Sequence, residues 1–212
     1  MATSARKAMM IIGYMGGAFV LLAVAYIGVF IYLSNTAERP KYTALRQDGP
    51  FEIREYPDLV VAEVSQSGSR GEAVRSGFGP LAGYIFAKER PGERISMTAP
   101  MTQQRASSDS ADGWAVRFIM PAKFDLASLP KPANSEVRLI EKSPAPYAAI
   151  RFSGAADDAL MAAQERKLRV WLGEQRLEPA DSAIYAYYDH PSAPGPLRRN
   201  EVLIELKPGE RS

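Results

Sequence analysis

The sequence predicts an α+β fold, an antiparallel sheet with two flanking helices, preceded by one N-terminal transmembrane helix. Three observations carry this reading. Short runs rich in β-branched and aromatic residues alternate apolar with polar positions, as strands do in a sheet wet on one face. Two longer stretches place apolar residues at helical spacing. A third, residues 9–33, is apolar throughout.

The apolar stretch comes first in the chain. Residues 8–37 carry no charge. A helix over residues 9–33 would be roughly 37 Å long at about 1.5 Å per residue, enough to cross a hydrocarbon core of about 30 Å with tilt. A cleaved signal peptide has a shorter apolar run and ends in a small-x-small site. Asn35-Thr36-Ala37 is a poor one, so an uncleaved single-pass anchor in the lipid bilayer is favoured. Residues 1–8 then form a short basic tail and 34–41 a linker. Arg6 and Lys7 favour the cytoplasm against Arg39, Lys41 and Arg46, which puts the domain outside it. Gly13 and Gly17 form a G-x-x-x-G, read as chance spacing rather than a dimer motif.

Strands are expected at residues 42–46, 51–56, 59–65, 94–98, 114–120, 136–141, 147–153, 183–189 and 201–206. In the last, Val202, Ile204 and Leu206 face one way, with Glu201 and Glu205 opposite. Arg54 and Glu55 alternate on another, where a solvated cross-strand ion pair is the default. Residues 157–172 read as a helix with acids in its first turn and Gly173 past its end. Residues 71–88 read as a helix striped by Val74, Phe78, Leu81 and Ile85, weakened by Gly77, Gly79 and Pro80. Residues 103–113 read as a hairpin loop, 124–134 as a connector, 192–196 as a Pro/Gly loop and 207–212 as a C-terminal tail. The order strand–strand–helix–strand–strand occurs twice over similar lengths. This suggests two pseudo-symmetric ββαββ halves sharing one sheet across a domain at 42–206.

Charge and composition exclude several functions. The chain has 212 residues and a formal net charge of +2. All Asp and Glu lie at Glu38 or later, and Arg6 and Lys7 are the only Lys or Arg before it. Residues 38–212 are therefore neutral, and nucleic acid is not an expected partner. There is no cysteine and a single histidine, which excludes thiolate chemistry and a paired-His metal centre. No G-x-S-x-G, phosphate loop or H-E-x-x-H is present, and the chain is not expected to be an enzyme. No metal ligands are assigned.

Several ordered motifs remain. Phe51-Glu52-Ile53-Arg54-Glu55-Tyr56-Pro57 resembles the opening strand of the SOUL haem-binding family. Gly83-Tyr84-Ile85 followed by Ile95-Ser96-Met97-Thr98-Ala99-Pro100-Met101 resembles that family's "YI…I.MT.PV" block. Phe118-Ile119-Met120-Pro121, Phe152-Ser153-Gly154 and Arg199-Asn200-Glu201-Val202 are similar to its "F.MP", "FSG" and "RNEV" pieces. The resemblance runs from about residue 41 to 206 in the family's order. It implies a distorted β-barrel with two flanking helices. It also implies likeness to the ligand-binding domains of gyrase-inhibitor-like proteins and multidrug-responsive regulators.

The resemblance implies non-covalent binding of haem or a related tetrapyrrole, in a carrier or buffer role. An apolar slot along the first helix would use Phe78, Leu81, Tyr84 and Ile85, with Met97 nearby. His190 is the lone imidazole, and Arg198 and Arg199 would meet propionates at the rim. Each also has a plain structural reading. Met97 is ordinary core filler, His190 a loop residue, and Arg199-Asn200-Glu201 a network fixing the last strand. The alternatives are a binding module for another apolar small molecule, or an interaction module with no ligand.

Overall fold

The structure is a computed structural model that describes residues 17, 21, 26, 28, 37–106, 113–190 and 192–207. The chain divides into two compact units, Met1–Ala37 and Glu38–Ser212. The expected anchor lies outside the described residues, apart from Gly17, Leu21, Tyr26 and Gly28, which are helical. Among the described residues, no helix is long and apolar enough to cross a membrane.

The second unit is α+β. Its elements run β1 (Thr43–Asp48), β2 (Phe51–Tyr56), β3 (Leu59–Ser67), α1 (Arg70–Ile85), β4 (Met101–Arg105), β5 (Gly113–Ile119), β6 (Arg138–Lys142), β7 (Ala145–Ser153), α2 (Asp158–Gln175), β8 (Ile184–Tyr187) and β9 (Arg199–Glu205). The strands form one curled antiparallel sheet in the order β1-β2-β7-β9-β8-β4-β5-β3-β6. Apart from β1, this order is palindromic between the halves. The half β2-β3-α1-β4-β5 lends β2 to pair with β7, and the half β6-β7-α2-β8-β9 lends β6 to pair with β3. Neither half has a complete sheet without the other.

Alternation decides what each face carries. Val60, Ala62 and Val64 of β3 and Trp114, Val116 and Phe118 of β5 form one core with Leu81, Tyr84 and Ile85 of α1. Ala148 and Ile150 of β7 and Val202 and Ile204 of β9 form a second with Met161, Leu168, Trp171 and Leu172 of α2. Both helices therefore cover one face of the sheet. The other face belongs to the opposite parity and carries neither α1 nor α2.

The helices begin and end by local chemistry. Ser69 caps α1 in a reciprocal capping box with Glu72. The Asp157 carboxylate accepts the Leu160 N–H at the start of α2. Both helices end on a left-handed residue that is not glycine, Ala87 after α1 and Arg176 after α2. The Lys88 N–H reaches Gly83 O, and the Leu177 N–H reaches Leu172 O, the six-to-one bond of a Schellman end. Gly173, expected to follow α2, lies inside it. Buried Leu177 draws the chain into the core and sets the stop.

Two expectations need correction. Residues 94–98 are not a sheet strand; only Thr98 makes an isolated bridge, to Glu38. The strand is Met101–Arg105, partly placed in the expected hairpin loop. Its polar Gln103 and Gln104 are buried because the fold satisfies their amides. Gln103 donates to Arg70 O, and Gln104 to Ser182 O. Arg54 is likewise no solvated residue, being 1 % exposed.

Gly77 lets α1 approach the sheet, since a Cβ there would meet Val116 and Val64 at 3.0–3.1 Å. At Gly83 a Cβ would meet nothing within 4 Å. Urea unfolding should show Gly77→Leu less stable by about 1–3 kcal/mol through overpacking. Gly83→Ala should be more stable by about 0.5–1 kcal/mol through helix propensity.

Candidate functional site

The face without α1 and α2 holds a shallow, half-open groove with a cavity volume of about 100 Å³, or about 770 Å³ when the open space at its mouth is counted. Its apolar walls come from Leu59 and Val61 of β3, Ile119 of β5, Ile184 of β8 and Leu203 of β9. Tyr56, Tyr147 and Tyr188 add rings, and Pro40, Pro57 and Pro100 complete the lining. Charge enters from Arg117, Lys142, Asp181 and Glu205. The strand register explains this set: these residues sit one position out of phase with those that pack on α1 and α2.

Two buried carboxylates organise the same face. Glu201 is fully buried and accepts from Arg54 at 2.6 and 3.2 Å, from Tyr188 at 2.9 Å and from Arg199 at 2.7 Å. Arg151 adds a bond at 3.2 Å. Glu63 accepts from Arg117 and from Arg138, each at 2.7 Å. Arg117 also donates to Gln104 Oε1 at 2.8 Å, which ties β5 to β4.

Burial alone would raise the Glu201 pKa. The hydrogen bonds and charge of Arg54, with the charge of Arg199, outweigh it and hold the carboxyl at about 2. Desolvation pushes the Tyr56 hydroxyl up to about 12 against the pull of Arg54. Desolvation also raises Tyr188, reinforced by Glu201, and Tyr147, reinforced by the Glu205 carboxylate it donates to. At neutral pH all three tyrosines face the groove as neutral phenols.

The structure places the expected site residues elsewhere. Leu81, Tyr84 and Ile85 are sealed in the core, Tyr84 donating its hydroxyl to Pro130 O. Phe78 is 41 % exposed on α1 and meets Phe118 edge to face. Met97 is 40 % exposed and does not line the groove. His190 is exposed, with its Nδ1 on Ser192. Arg198 holds the Ala193 and Ala155 carbonyls. Only Arg199 belongs to the Glu201 network, its guanidinium 4.0 Å from the centre of the Tyr188 ring. The groove residues were legible only as the outer positions of strands. Their signal was inward tyrosines and paired charges where a solvated face was expected.

Glu201 titrates at about 2 folded, against an ordinary 4.5. Its network therefore contributes stability that is present above pH 4.5 and lost as pH falls toward 2. Glu201→Gln should be less stable by about 3–5 kcal/mol at pH 7, because Arg54 is left buried without its anion. The two proteins should converge as acid protonates the wild-type carboxyl, followed by circular dichroism.

A comparison with curated proteins finds no match. Among solved structures, the EcmrR C-terminal domain is similar at a TM-score of 0.55 and 13 % identity, covering 78 % of this chain and 98 % of that one. A hydrolase from Listeria innocua is similar at 0.52 and 12 %, covering 74 % and 91 %. At these identities the likeness is one of fold. The profile of the SOUL heme-binding proteins matches residues 37–205, which takes in all nine strands, both helices and the groove. The chain belongs to the SOUL heme-binding protein family.

Proposed function

We propose that the domain binds a flat, apolar molecule non-covalently in the concave groove, and that haem or a related tetrapyrrole is that ligand. The groove itself carries the reading: its walls are apolar and aromatic, with charged groups among them. Family membership supplies the ligand class. Lys142 in the lining supplies a cation for a propionate, while Arg117 is committed to Glu63 and Gln104. The lining fits the ring better than the iron. Among the described residues it contains no histidine, cysteine or methionine, and its three phenols are held protonated. Bound haem would bring a redox-active, light-absorbing ring, which this chain would carry or buffer rather than use in catalysis.

A second reading is favoured by Asp181 and Glu205 in the same lining. Two carboxylates beside tyrosine rings suit an amphipathic cation as well. We infer further that residues 9–33 hold the domain at a bilayer, on its extracytoplasmic side.

The test is titration of the full chain in detergent micelles with hemin and with metal-free protoporphyrin IX, empty micelles serving as the blank. Both should bind saturably, with affinities within about tenfold of each other, because little of the binding energy runs through iron. Ile184→Trp, which fills the groove, should weaken both by at least about tenfold. His190→Ala should leave the Soret band unmoved. Binding that survives Ile184→Trp but is lost in Phe78→Asp would move the site to the outer face of α1. Thermal stabilisation by lipophilic cations alone would favour the second reading.

Topology has its own measurement. External protease should digest residues 38–212 in intact spheroplasts and spare them in inverted vesicles. The reverse pattern would place the domain in the cytoplasm.

A further inference from the structure

We propose that residues 38–42 form a strap closing one end of the groove, and that ligand leaves by displacing it. The inference rests on the groove being the binding site. The strap is held at its start. Glu38 O accepts the Ala99 N–H at 2.8 Å, and Glu38 Oε1 accepts the Ala122 N–H at 2.7 Å. Glu38 also bridges Thr98 in parallel. Pro40 then forms part of the groove wall.

On either side of Pro40 the strap grips two groove tyrosines. The Arg39 guanidinium lies 5.6 Å from the centre of the Tyr188 ring. The Tyr42 ring lies 5.3 Å from that of Tyr56 and under Arg54 at 4.4 Å. A molecule in the groove would touch Pro40, Tyr56 and Tyr188 together, so it would add contacts to the strap and slow its release.

The strap is also the part of the wall that can open at least cost. Residues 39–42 belong to no strand or helix, whereas most of the other lining residues come from the sheet. Segments with few backbone bonds open locally, well below the free energy of global unfolding. In the sequence, only residues 34–37 separate the strap from the apolar run ending at Leu33. Anything that fixes that run restrains the end of the strap that must move.

The experiment uses the full chain in micelles, with protoporphyrin IX fluorescence reporting dissociation and hydrogen exchange reporting the Ala99 and Ala122 amides. Glu38→Ala should speed dissociation about tenfold, as one lost charge-assisted hydrogen bond implies. It should also speed exchange at Ala122 without changing the β3 and β5 amides. Glu38→Gln keeps an acceptor but loses its charge and should fall between Glu38→Ala and the wild type. Pro40→Gly removes no hydrogen bond and should also speed dissociation. Porphyrin should slow exchange at Ala99 and Ala122 in the wild type. Wild-type dissociation rates in both Glu38→Ala and Pro40→Gly would overturn the strap while leaving the groove intact. A wild type that binds no porphyrin would overturn the groove reading and the strap with it.

Discussion

Glu201 is a carboxylate with no exposure to water, and the inner face of the sheet is arranged around it. Its partners Arg54, Arg151, Tyr188 and Arg199 come from β2, β7, the end of β8 and β9 itself. Across the pseudo-twofold, Glu63 of β3 is held by Arg117 of β5 and Arg138 of β6. Arg54 and Arg138 sit on β2 and β6, the two strands that the halves exchange. Each cluster therefore pins a lent strand to its host half. Such buried pairs contribute little net stability once desolvation is counted. What they do set is register, because a one-residue slip would turn each charge toward the apolar helix face.

The same arrangement makes the groove. A curled sheet with both helices on one face must leave the other face uncovered or fill it with its own side chains. Here it is filled at both ends by the arginine–carboxylate clusters and by tyrosines whose hydroxyls are engaged. Between them the apolar side chains of β3, β5, β8 and β9 line open space. Polar anchors at fixed positions with apolar walls between them are what a site for a large flat molecule requires.

Much of this was legible in the sequence and some was not. Alternation in residues 202–206 gave the helix-facing side of β9, Val202 and Ile204, but not the burial of Glu201 and Leu203 on the other side. The Arg199-Asn200-Glu201 network was also legible as structure: Asn200 holds the Gly154 carbonyl, and Arg199 holds Glu201. The strand at Met101–Arg105 was not, because its buried residues are glutamines whose partners lie 33 and 78 residues away. The groove was not read from the sequence for the same reason. Arg54 looks solvated until β9 is seen to bring Glu201 beside it, 147 residues on. Leu81 and Ile85 suggested a slot because their stripe is apolar, and that stripe is the side of α1 that the core consumes, while Phe78 stays 41 % exposed.

The account turns on which face of the sheet receives the ligand. The most direct measurement is fluorine NMR of the full chain carrying 3-fluorotyrosine, titrated with protoporphyrin IX. Tyr56, Tyr147 and Tyr188 line the groove, while Tyr84 of α1 lies in the core on the opposite face. The resonances of the first three should shift together and saturate, with that of Tyr84 unmoved. A shift at Tyr84 with the three groove tyrosines unchanged would contradict it.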